Sequence, residues 1–250
     1  GKEYIIKDGD VILFRFNVWL VMKNLKKNFF KSADDFSVPY FEYVPDENIK
    51  SAVVLVYEIF GATEHMHNFA AKLASEGYLV YLPDIFSRIE IDVNLNYDKD
   101  GFQKGIALKE SLGWDYPVMD IVALASMLKQ KYKVTCLGFC YGGSIAWRAT
   151  QKSFLFDKSV CYYGSSIPDF LDRKINNPTM IHLGKLDSGI PQEKVKKIIT
   201  FSEKQKYDLI IHEYDEADHG FNCEDRKSYN KEAANVALER SLKFMEKNYD

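Results

Sequence analysis

The sequence predicts an α/β domain built on a doubly wound, mostly parallel β-sheet with helices on both faces. From residue 51 onward, short apolar runs rich in β-branched residues alternate with amphipathic helical patterns, which is typical of parallel strands joined by helices. The chain has 250 residues, of which 46% are hydrophobic, and both values are ordinary for one globular domain with a large core. We therefore expect a single α/β domain over residues 51–250, preceded by an N-terminal extension at 1–50.

The first predicted strand spans residues 52–57, an almost unbroken apolar run of the kind found in strands buried on both faces. Thr63 can cap the amphipathic helix that follows, and Gly77 ends that helix before a second strand at 78–82. The same pattern predicts further strands at 134–139, 159–163, 179–183 and 209–214, and helices at 117–130, 144–149, 192–205 and 229–247.

Two regions do not fit this alternation. Residues 1–50 carry apolar runs separated by Asp8-Gly9-Asp10, which predicts a hairpin, placed at an edge of the sheet. Residues 87–116 are polar and contain three glycines, so we expect a long loop that crosses the carboxyl edge of the sheet. Loops of that length in a compact domain are often functional.

Composition excludes several classes of protein. The net charge of −3 gives no reason to expect nucleic acid or an anionic membrane as a partner. No stretch approaches the roughly 20 apolar residues that cross a bilayer, and the apolar segment 11–22 is interrupted by Arg15 and Asn17, unlike a signal peptide. The four cysteines form no C-x-x-C pair, so neither disulfides nor zinc are indicated. We expect a soluble, cytoplasmic protein without metal or cofactor, either a monomer or a small homo-oligomer.

The sharpest motif is Gly138-Phe-Cys140-Tyr-Gly142-Gly143, which lies between a predicted strand and a predicted helix. It has the form G-x-S-x-G of a nucleophile elbow, with cysteine in the place of serine. The glycines allow strand and helix to approach at a strained turn, and the start of the helix favours a thiolate at Cys140. The alternative is that Cys140 is only a small buried residue beside a glycine turn. Dinucleotide and P-loop patterns are absent.

A nucleophilic thiol needs a base, and the base needs an acid that orients it. Asp187 follows the strand predicted at 179–183, and His219 follows the strand predicted at 209–214. The chain order of nucleophile, acid and base is that of α/β-hydrolases. Asp187 could instead serve only to cap a turn. The other carboxylates near His219 are expected to be solvated; these are Asp215, Glu216 and Asp218.

The remaining histidines have plainer interpretations. His65 and His67 form an H-x-H pair of the kind found in metal sites, but the partners of a dinuclear site are missing, so we expect them at an exposed helix start. His182 and His212 lie within strand patterns and are expected to be packed or at an edge. No metal site is predicted.

Several separate motifs in order resemble the dienelactone hydrolase family of α/β-hydrolases over residues 51–247. They are Glu58-Ile-Phe-Gly61, Gly77-Tyr78, Pro83-Asp84-Ile-Phe-Ser-Arg88, the elbow around Cys140, Tyr162-Tyr-Gly164, Asp187 and His219-Gly-Phe221. The resemblance implies that residues 51–250 are a hydrolase catalytic domain.

The resemblance also implies roles for individual residues. A glutamate matching Glu58 pairs with the resting thiol, and the backbone N–H groups matching Ile59 and Tyr141 form the oxyanion hole. An arginine matching Arg88 binds the substrate carboxylate. The pair Tyr162 and Tyr163 is similar to aromatic residues near the substrate pocket.

One position departs from the family pattern. Members that open dienelactone carry a second arginine four residues after the catalytic histidine, and here that position is Cys223. Arg226 is nearby in sequence but is not assumed to replace it. The loss of one cation removes a charge-assisted hydrogen bond of about 1.5–3 kcal/mol, which bears on the substrate more than on the chemistry.

The expected function is hydrolysis of a small ester or lactone, with or without a carboxylate, through a Cys140–His219–Asp187 triad and an acyl-enzyme. Thiolate is a good leaving group, so activated esters such as enol esters or thioesters are favoured. A thioesterase or general carboxylesterase of the same fold stays open. So does a non-catalytic binding protein on a hydrolase scaffold. A thiol peptidase is less favoured, since nothing marks an extended peptide groove.

Overall fold

The computed structural model describes residues 27–248 and has one eight-stranded sheet with helices on both faces. The strands are β1 (Lys27–Lys31), β2 (Ser37–Tyr43), β3 (Ser51–Val56), β4 (Tyr78–Pro83), β5 (Val134–Phe139), β6 (Lys158–Tyr162), β7 (Thr179–Gly184) and β8 (Leu209–Tyr214). The α-helices are α1 (Glu64–Ser75), α2 (Lys99–Leu112), α3 (Asp115–Leu128), α4 (Tyr141–Lys152), α5 (Gln192–Ser202) and α6 (Lys231–Glu246). Two short 3₁₀ turns lie at Ile85–Arg88 and Ile167–Asp169.

The order of strands in the sheet is β1-β2-β4-β3-β5-β6-β7-β8. Neighbours from β4 to β8 pair in parallel, whereas β1 with β2 and β2 with β4 pair antiparallel. Strands β4 to β7 are buried along their whole length, which explains their continuous apolar sequence. The prediction of a doubly wound, mostly parallel sheet in a single domain is confirmed.

The antiparallel edge of the sheet is a hairpin formed by β1 and β2. Lys27 of β1 lies opposite Phe41 of β2, and β2 in turn pairs with β4. The described part of residues 1–50 therefore includes two strands of the same sheet, where the sequence predicted an extension with a hairpin. The hairpin predicted at Asp8-Gly9-Asp10 falls outside the described residues.

The prediction of a long loop at 87–116 is wrong, because residues 99–112 form helix α2. The Asp98 side chain caps this helix by accepting a hydrogen bond from the N–H of Gly101 at 2.8 Å. Gly105 lies so close to the main chain that an added Cβ would be 2.5 Å from the carbonyl oxygen of Ile59. The glycines in this segment thus permit close packing of a helix, and they do not mark a loop.

The prediction that His65 and His67 are exposed at the start of a helix is also wrong. Both side chains are buried in helix α1. Strand β2 covers His67, whose Nδ1 contacts the hydroxyl of Tyr43 and whose ring meets Phe41 edge-on at 4.8 Å. Burial lowers the pKa of His67 to about 4, so its imidazole is neutral.

The prediction of a packed His182 is confirmed, since its ring nitrogens lie 2.8 Å from the hydroxyl of Tyr214 and 2.9 Å from that of Ser241. In the part of the chain that the structure describes, no helix has the length and apolar character needed to cross a membrane.

Candidate active site

Cys140 lies at the turn between β5 and α4 and has a backbone φ of 53° and ψ of −112°. This is a left-handed conformation that costs energy for any residue except glycine. A Cβ at Gly142 would overlap the carbonyl oxygens of β3, and one at Gly143 would lie 2.6 Å from the carbonyl oxygen of Tyr162. Glycine at these positions therefore lets α4 start directly against the sheet, with the thiol raised at its carboxyl edge.

The structure brings the three predicted catalytic side chains together. The Sγ of Cys140 lies 3.2 Å from Nε2 of His219, and Nδ1 of His219 lies 2.8 Å from Oδ2 of Asp187. The other oxygen of Asp187 accepts a hydrogen bond from the N–H of Gly189 at 2.8 Å, which fixes the carboxylate. The three residues follow β5, β7 and β8, whose carboxyl ends lie at one edge because the strands are parallel.

The protonation of His219 reflects its two neighbours. Burial acts to lower its pKa, but negative charge on the Cys140 sulfur and the hydrogen-bonded Asp187 carboxylate outweigh burial and raise the pKa to about 10. The arrangement thus favours a protonated imidazole, with the Cys140 sulfur on one side and the Asp187 carboxylate on the other.

Ile59 and Tyr141, the residues expected to supply the N–H groups of an oxyanion hole, line the same cleft as Cys140. Tyr141 is the first residue of α4, so its N–H has no acceptor within the helix and lies at the positive end of the helix dipole. Ile59 follows β3, and the turn that carries it is held by a hydrogen bond of 3.2 Å from the N–H of Gly61 to the carbonyl of Glu58. Both residues line the cleft together with Cys140, as an oxyanion hole requires.

The cleft above Cys140 has a volume of about 880 Å³. One wall is apolar and aromatic and is formed largely by helix α2 and its surroundings, namely Ile59, Tyr97, Phe102, Ile106, Trp114 and Tyr141. Four cationic side chains also reach it: Lys99, Lys109, Arg226 and Lys227. Four aspartates line it as well: Asp98, Asp187, Asp218 and Asp225. A cleft of this kind can bind a largely apolar small molecule with a few polar or charged groups.

Glu58, expected to pair with the resting thiol, contacts a different group in this structure. Its Oε1 lies 3.3 Å from Nη1 of Arg226, and its Oε2 is buried with no hydrogen-bond partner among the described residues. Burial acts to lower the pKa of Arg226, but the charge of Glu58 outweighs burial and raises it. The guanidinium lies against Gly220, where an added Cβ would collide with it. The sequence had pointed to Arg226 only by its proximity to His219.

Arg88, expected to bind the carboxylate of the substrate, does not line the cleft. Its guanidinium donates to both oxygens of Asp34 at 2.7 and 2.8 Å and to both oxygens of Asp120 at 2.7 and 2.9 Å. The rings of Phe36 and Tyr116 cover it, with centroids at 4.4 and 4.6 Å. The structure corrects the expectation: Arg88 joins the edge hairpin to helix α3, and two carboxylates already occupy its donors.

The two tyrosines expected near the substrate lie beneath the cleft and do not form its wall. Tyr162 is fully buried, and its hydroxyl shares a hydrogen bond of 2.8 Å with Ser241. Tyr163 is also buried, with its ring centroid 5.2 Å from that of His219. The structure corrects the expectation that they bind substrate, since neither tyrosine lines the cleft and Tyr163 instead packs against His219.

Cys223 is buried too, and burial together with the nearby charge of Glu58 raises its pKa to about 12. It is therefore a neutral thiol in the position of the family's second arginine. Within residues 27–248 no group of three or more His, Cys, Asp or Glu side chains is arranged to hold a metal ion.

A mostly parallel sheet with a strained strand-to-helix turn at Cys140, followed along the chain by Asp187 and His219 at its carboxyl edge, is the architecture of the α/β-hydrolase fold. Residues 39–249 match the model of the dienelactone hydrolase family. The chain therefore belongs to the dienelactone hydrolase family, as the resemblance in its motifs predicted, and it is a hydrolase of the class that acts on ester bonds.

Relatives and solved structures agree with this placement. The carboxymethylenebutenolidase of Pseudomonas putida is 28% identical over 200 residues, which cover 77% of this chain and 84% of that protein. A structure from Klebsiella pneumoniae subsp. pneumoniae, provisionally named a dienelactone hydrolase, has a TM-score of 0.77 at 24% identity and covers 89% of this chain and 98% of its own. A dienelactone hydrolase-like promiscuous phosphotriesterase from metagenomic libraries has a TM-score of 0.70 at 17% identity, with 88% of this chain and 97% of its own covered.

Proposed function

We propose that this protein is a cysteine hydrolase that cleaves small esters or lactones through an acyl-enzyme formed on Cys140. The observation that carries the proposal is the continuous contact from Cys140 Sγ through the His219 ring to Asp187, in a cleft that Ile59 and Tyr141 also line. Membership of the dienelactone hydrolase family supports the same class of substrate.

In the first half-reaction, the thiolate of Cys140 attacks the ester carbonyl and forms a C–S bond. The oxygen becomes an oxyanion, to which the N–H groups of Ile59 and Tyr141 donate hydrogen bonds. The tetrahedral intermediate then expels the alcohol, which takes its proton from the His219 imidazolium. For a lactone the alcohol stays attached to the acyl group, because the ring has only been opened.

In the second half-reaction, neutral His219 accepts a proton from a water molecule as the water attacks the acyl-enzyme. The new tetrahedral intermediate expels the Cys140 thiolate, and the carboxylic acid product leaves. Asp187 holds the imidazole in one orientation and stabilises its charged form through both half-reactions.

Arg226 has a supporting role in this mechanism. Glu58 is fully buried against Arg226, and the charges of both Glu58 and Cys140 raise the pKa of that guanidinium. Without this counter-charge, the Glu58 carboxylate would raise the energy of the anionic intermediates. The ion pair with Arg226 offsets that charge. It also leaves the sulfur of Cys140 facing His219 and not Glu58.

The test is turnover of 4-nitrophenyl acetate by the purified protein and its Cys140→Ala variant, with Cys136→Ala, four residues earlier in the buried strand β5, as control. We expect loss of turnover in the first variant and retention in the second. Mass spectrometry of the wild type quenched during turnover should find the acetyl group on the peptide that contains Cys140. Undiminished turnover in Cys140→Ala would refute the proposal.

A non-catalytic binding protein would behave differently. It would turn over no ester in a panel of lactones, aryl esters and thioesters, and iodoacetamide at neutral pH would label Cys140 no faster than an ordinary thiol. The same panel distinguishes a lactone hydrolase from a general carboxylesterase or a thioesterase by its order of kcat/KM values.

A further inference from the structure

Four cations reach the cleft, and they differ in what surrounds them. Lys99 and Lys227 are exposed at the rim, and Arg226 is paired with Glu58. Lys109 is half-buried and has no carboxylate partner among the described residues. Its ammonium lies 5.3 Å from the ring centroid of Trp114 and 6.0 Å from that of Tyr141. Lys109 is thus the half-buried cation of the cleft that is still available for an ion pair.

The position of Lys109 is tied to the reaction centre by helix α2. Gly105 lies one turn before Lys109 on the same face, and its Cα packs against the main chain of Ile59, whose N–H serves the proposed oxyanion hole. The end of α2 is held as well, because the hydroxyl of Tyr141 donates a hydrogen bond to the carbonyl of Gly113. The backbone of helix α2 at Lys109 is therefore held in place relative to the turn that carries Cys140.

The surroundings of Lys109 are flat and apolar. Trp114 packs edge-on against the ring of Tyr141 at 5.1 Å and against Phe170 at 5.0 Å, so its orientation is fixed. Phe102 and Ile106 extend the same wall of the cleft. A cation in such a wall binds an anion more strongly than an exposed lysine does, because less water competes for it.

We propose that Lys109 and Trp114 form a subsite for an anionic group at the far end of the substrate. The substrate class is then an ester whose body is an aromatic ring or an extended apolar chain that ends in a carboxylate. The ring would lie against Trp114 and Phe102 and the carboxylate would pair with Lys109, while the ester carbonyl sits over Cys140. This inference rests on the proposed hydrolase function and adds to it the recognition of charge at a distance from the reacting carbonyl.

The test uses two matched esters, the mono-4-nitrophenyl ester of terephthalic acid and its analogue with a carboxamide in place of the free carboxylate. Release of 4-nitrophenolate gives kcat/KM for each ester, and their ratio measures the preference for the anion. We expect the wild type to prefer the anionic ester by about tenfold, as one charge-assisted hydrogen bond predicts. Lys109→Gln should bring the ratio to about one through a higher KM for the anionic ester, and Lys109→Glu should invert it.

Two further variants separate charge from damage to the helix. Lys109→Arg should keep a preference for the anion, since it retains the charge. Lys104→Gln, on the exposed face of the same helix and paired with Glu90, should leave the ratio as in the wild type.

The possible failures of the two proposals are distinguishable. Comparable rates for both esters in the wild type, unchanged in Lys109→Gln, would overturn the subsite and leave the hydrolase assignment intact. If 4-nitrophenyl acetate is turned over and neither terephthalate ester is, the subsite fails and the hydrolase assignment stands. If 4-nitrophenyl acetate is not turned over either, or if Cys140→Ala is as active as the wild type, both proposals fail.

Discussion

Two arginines, Arg88 and Arg226, lie in regions of this molecule that treat positive charge in opposite ways. At the sheet edge, Arg88 is surrounded by two carboxylates and two aromatic rings, and its side chain is only 9% exposed. In the cleft, Arg226 has one carboxylate at 3.3 Å, and Lys109 has none among the described residues. The number of carboxylates around a cation therefore decides whether the cation joins elements of the fold or is available to bind a ligand.

If this contrast holds, substitutions in the cleft should reduce activity at nearly constant stability. The largest effect is expected for His219→Ala, which removes both the base and the acid of the proposed mechanism. We expect kcat/KM for 4-nitrophenyl acetate to fall by about 10⁴-fold or more. Thermal unfolding is compared near pH 10, where the protonated imidazole contributes little to stability, and should change little there. A fall of less than tenfold would contradict the assigned role.

Asp187→Asn should have the next largest effect, about 10³-fold in kcat/KM, since the imidazole loses the partner that orients it. Asp187 also helps to raise the pKa of His219 to about 10. Its loss should lower that pKa, so the alkaline limb of the pH–rate profile should move to lower pH. A profile of kcat/KM from pH 5 to 11 in both proteins measures this shift, and an unmoved limb would be evidence against the Asp187–His219 contact.

The same raised pKa bears on stability, with a definite sign. A protonated His219 stabilises the folded state in full below its unfolded pKa, about 6.5. This contribution is lost as the pH rises towards about 10. Urea unfolding should therefore show the wild type losing stability relative to Asp187→Asn between these two values.

Arg88→Met should show the reverse behaviour, with a large change in stability and a small change in chemistry. It leaves Asp120 fully buried with the hydroxyl of Ser32 as its remaining donor at 2.5 Å. We expect the free energy of unfolding to fall by about 3 kcal/mol, as is typical when one partner of a buried ion pair is removed. Urea denaturation measures it, with Lys104→Met at an exposed pair as the control. An unchanged free energy of unfolding together with a raised KM for anionic esters would show instead that Arg88 binds the substrate.

Arg226→Gln is expected to have the smallest of these effects. Without the guanidinium, the buried carboxylate of Glu58 loses its counter-charge and should disfavour the anionic intermediates proposed at Cys140. We expect kcat to fall by about tenfold for neutral and anionic esters alike. The double variant Glu58→Gln/Arg226→Gln should recover most of that loss. A loss restricted to anionic esters would instead assign Arg226 to substrate binding.

The sequence predicts what depends on local pattern. Continuous β-branched runs predict the parallel strands, and the glycines around Cys140 predict its strained turn. The order of Asp187 and His219 follows, since loops after parallel strands meet at one edge. None of these inferences requires knowledge of contacts between distant segments.

The errors all concern contacts between segments far apart in the chain. Arg88 depends on Asp34 and Asp120, which lie 54 and 32 residues from it. His67 is buried because β2 covers helix α1, and the sequence around His67 carries no sign of that strand. The glycines of helix α2 resembled loop residues because the surface that they approach belongs to Ile59, more than 40 positions earlier.

The contact of Gly105 with Ile59 also limits how this enzyme can change. Any larger residue at 105 would push helix α2 away from the main chain of Ile59, so we expect a change there to alter both the proposed oxyanion hole and substrate recognition. Phe102, Ile106 and Lys109 belong to the same helix and line the cleft. Evolution or directed mutagenesis could therefore retune substrate choice at these three positions and leave the rate of the chemical steps almost intact.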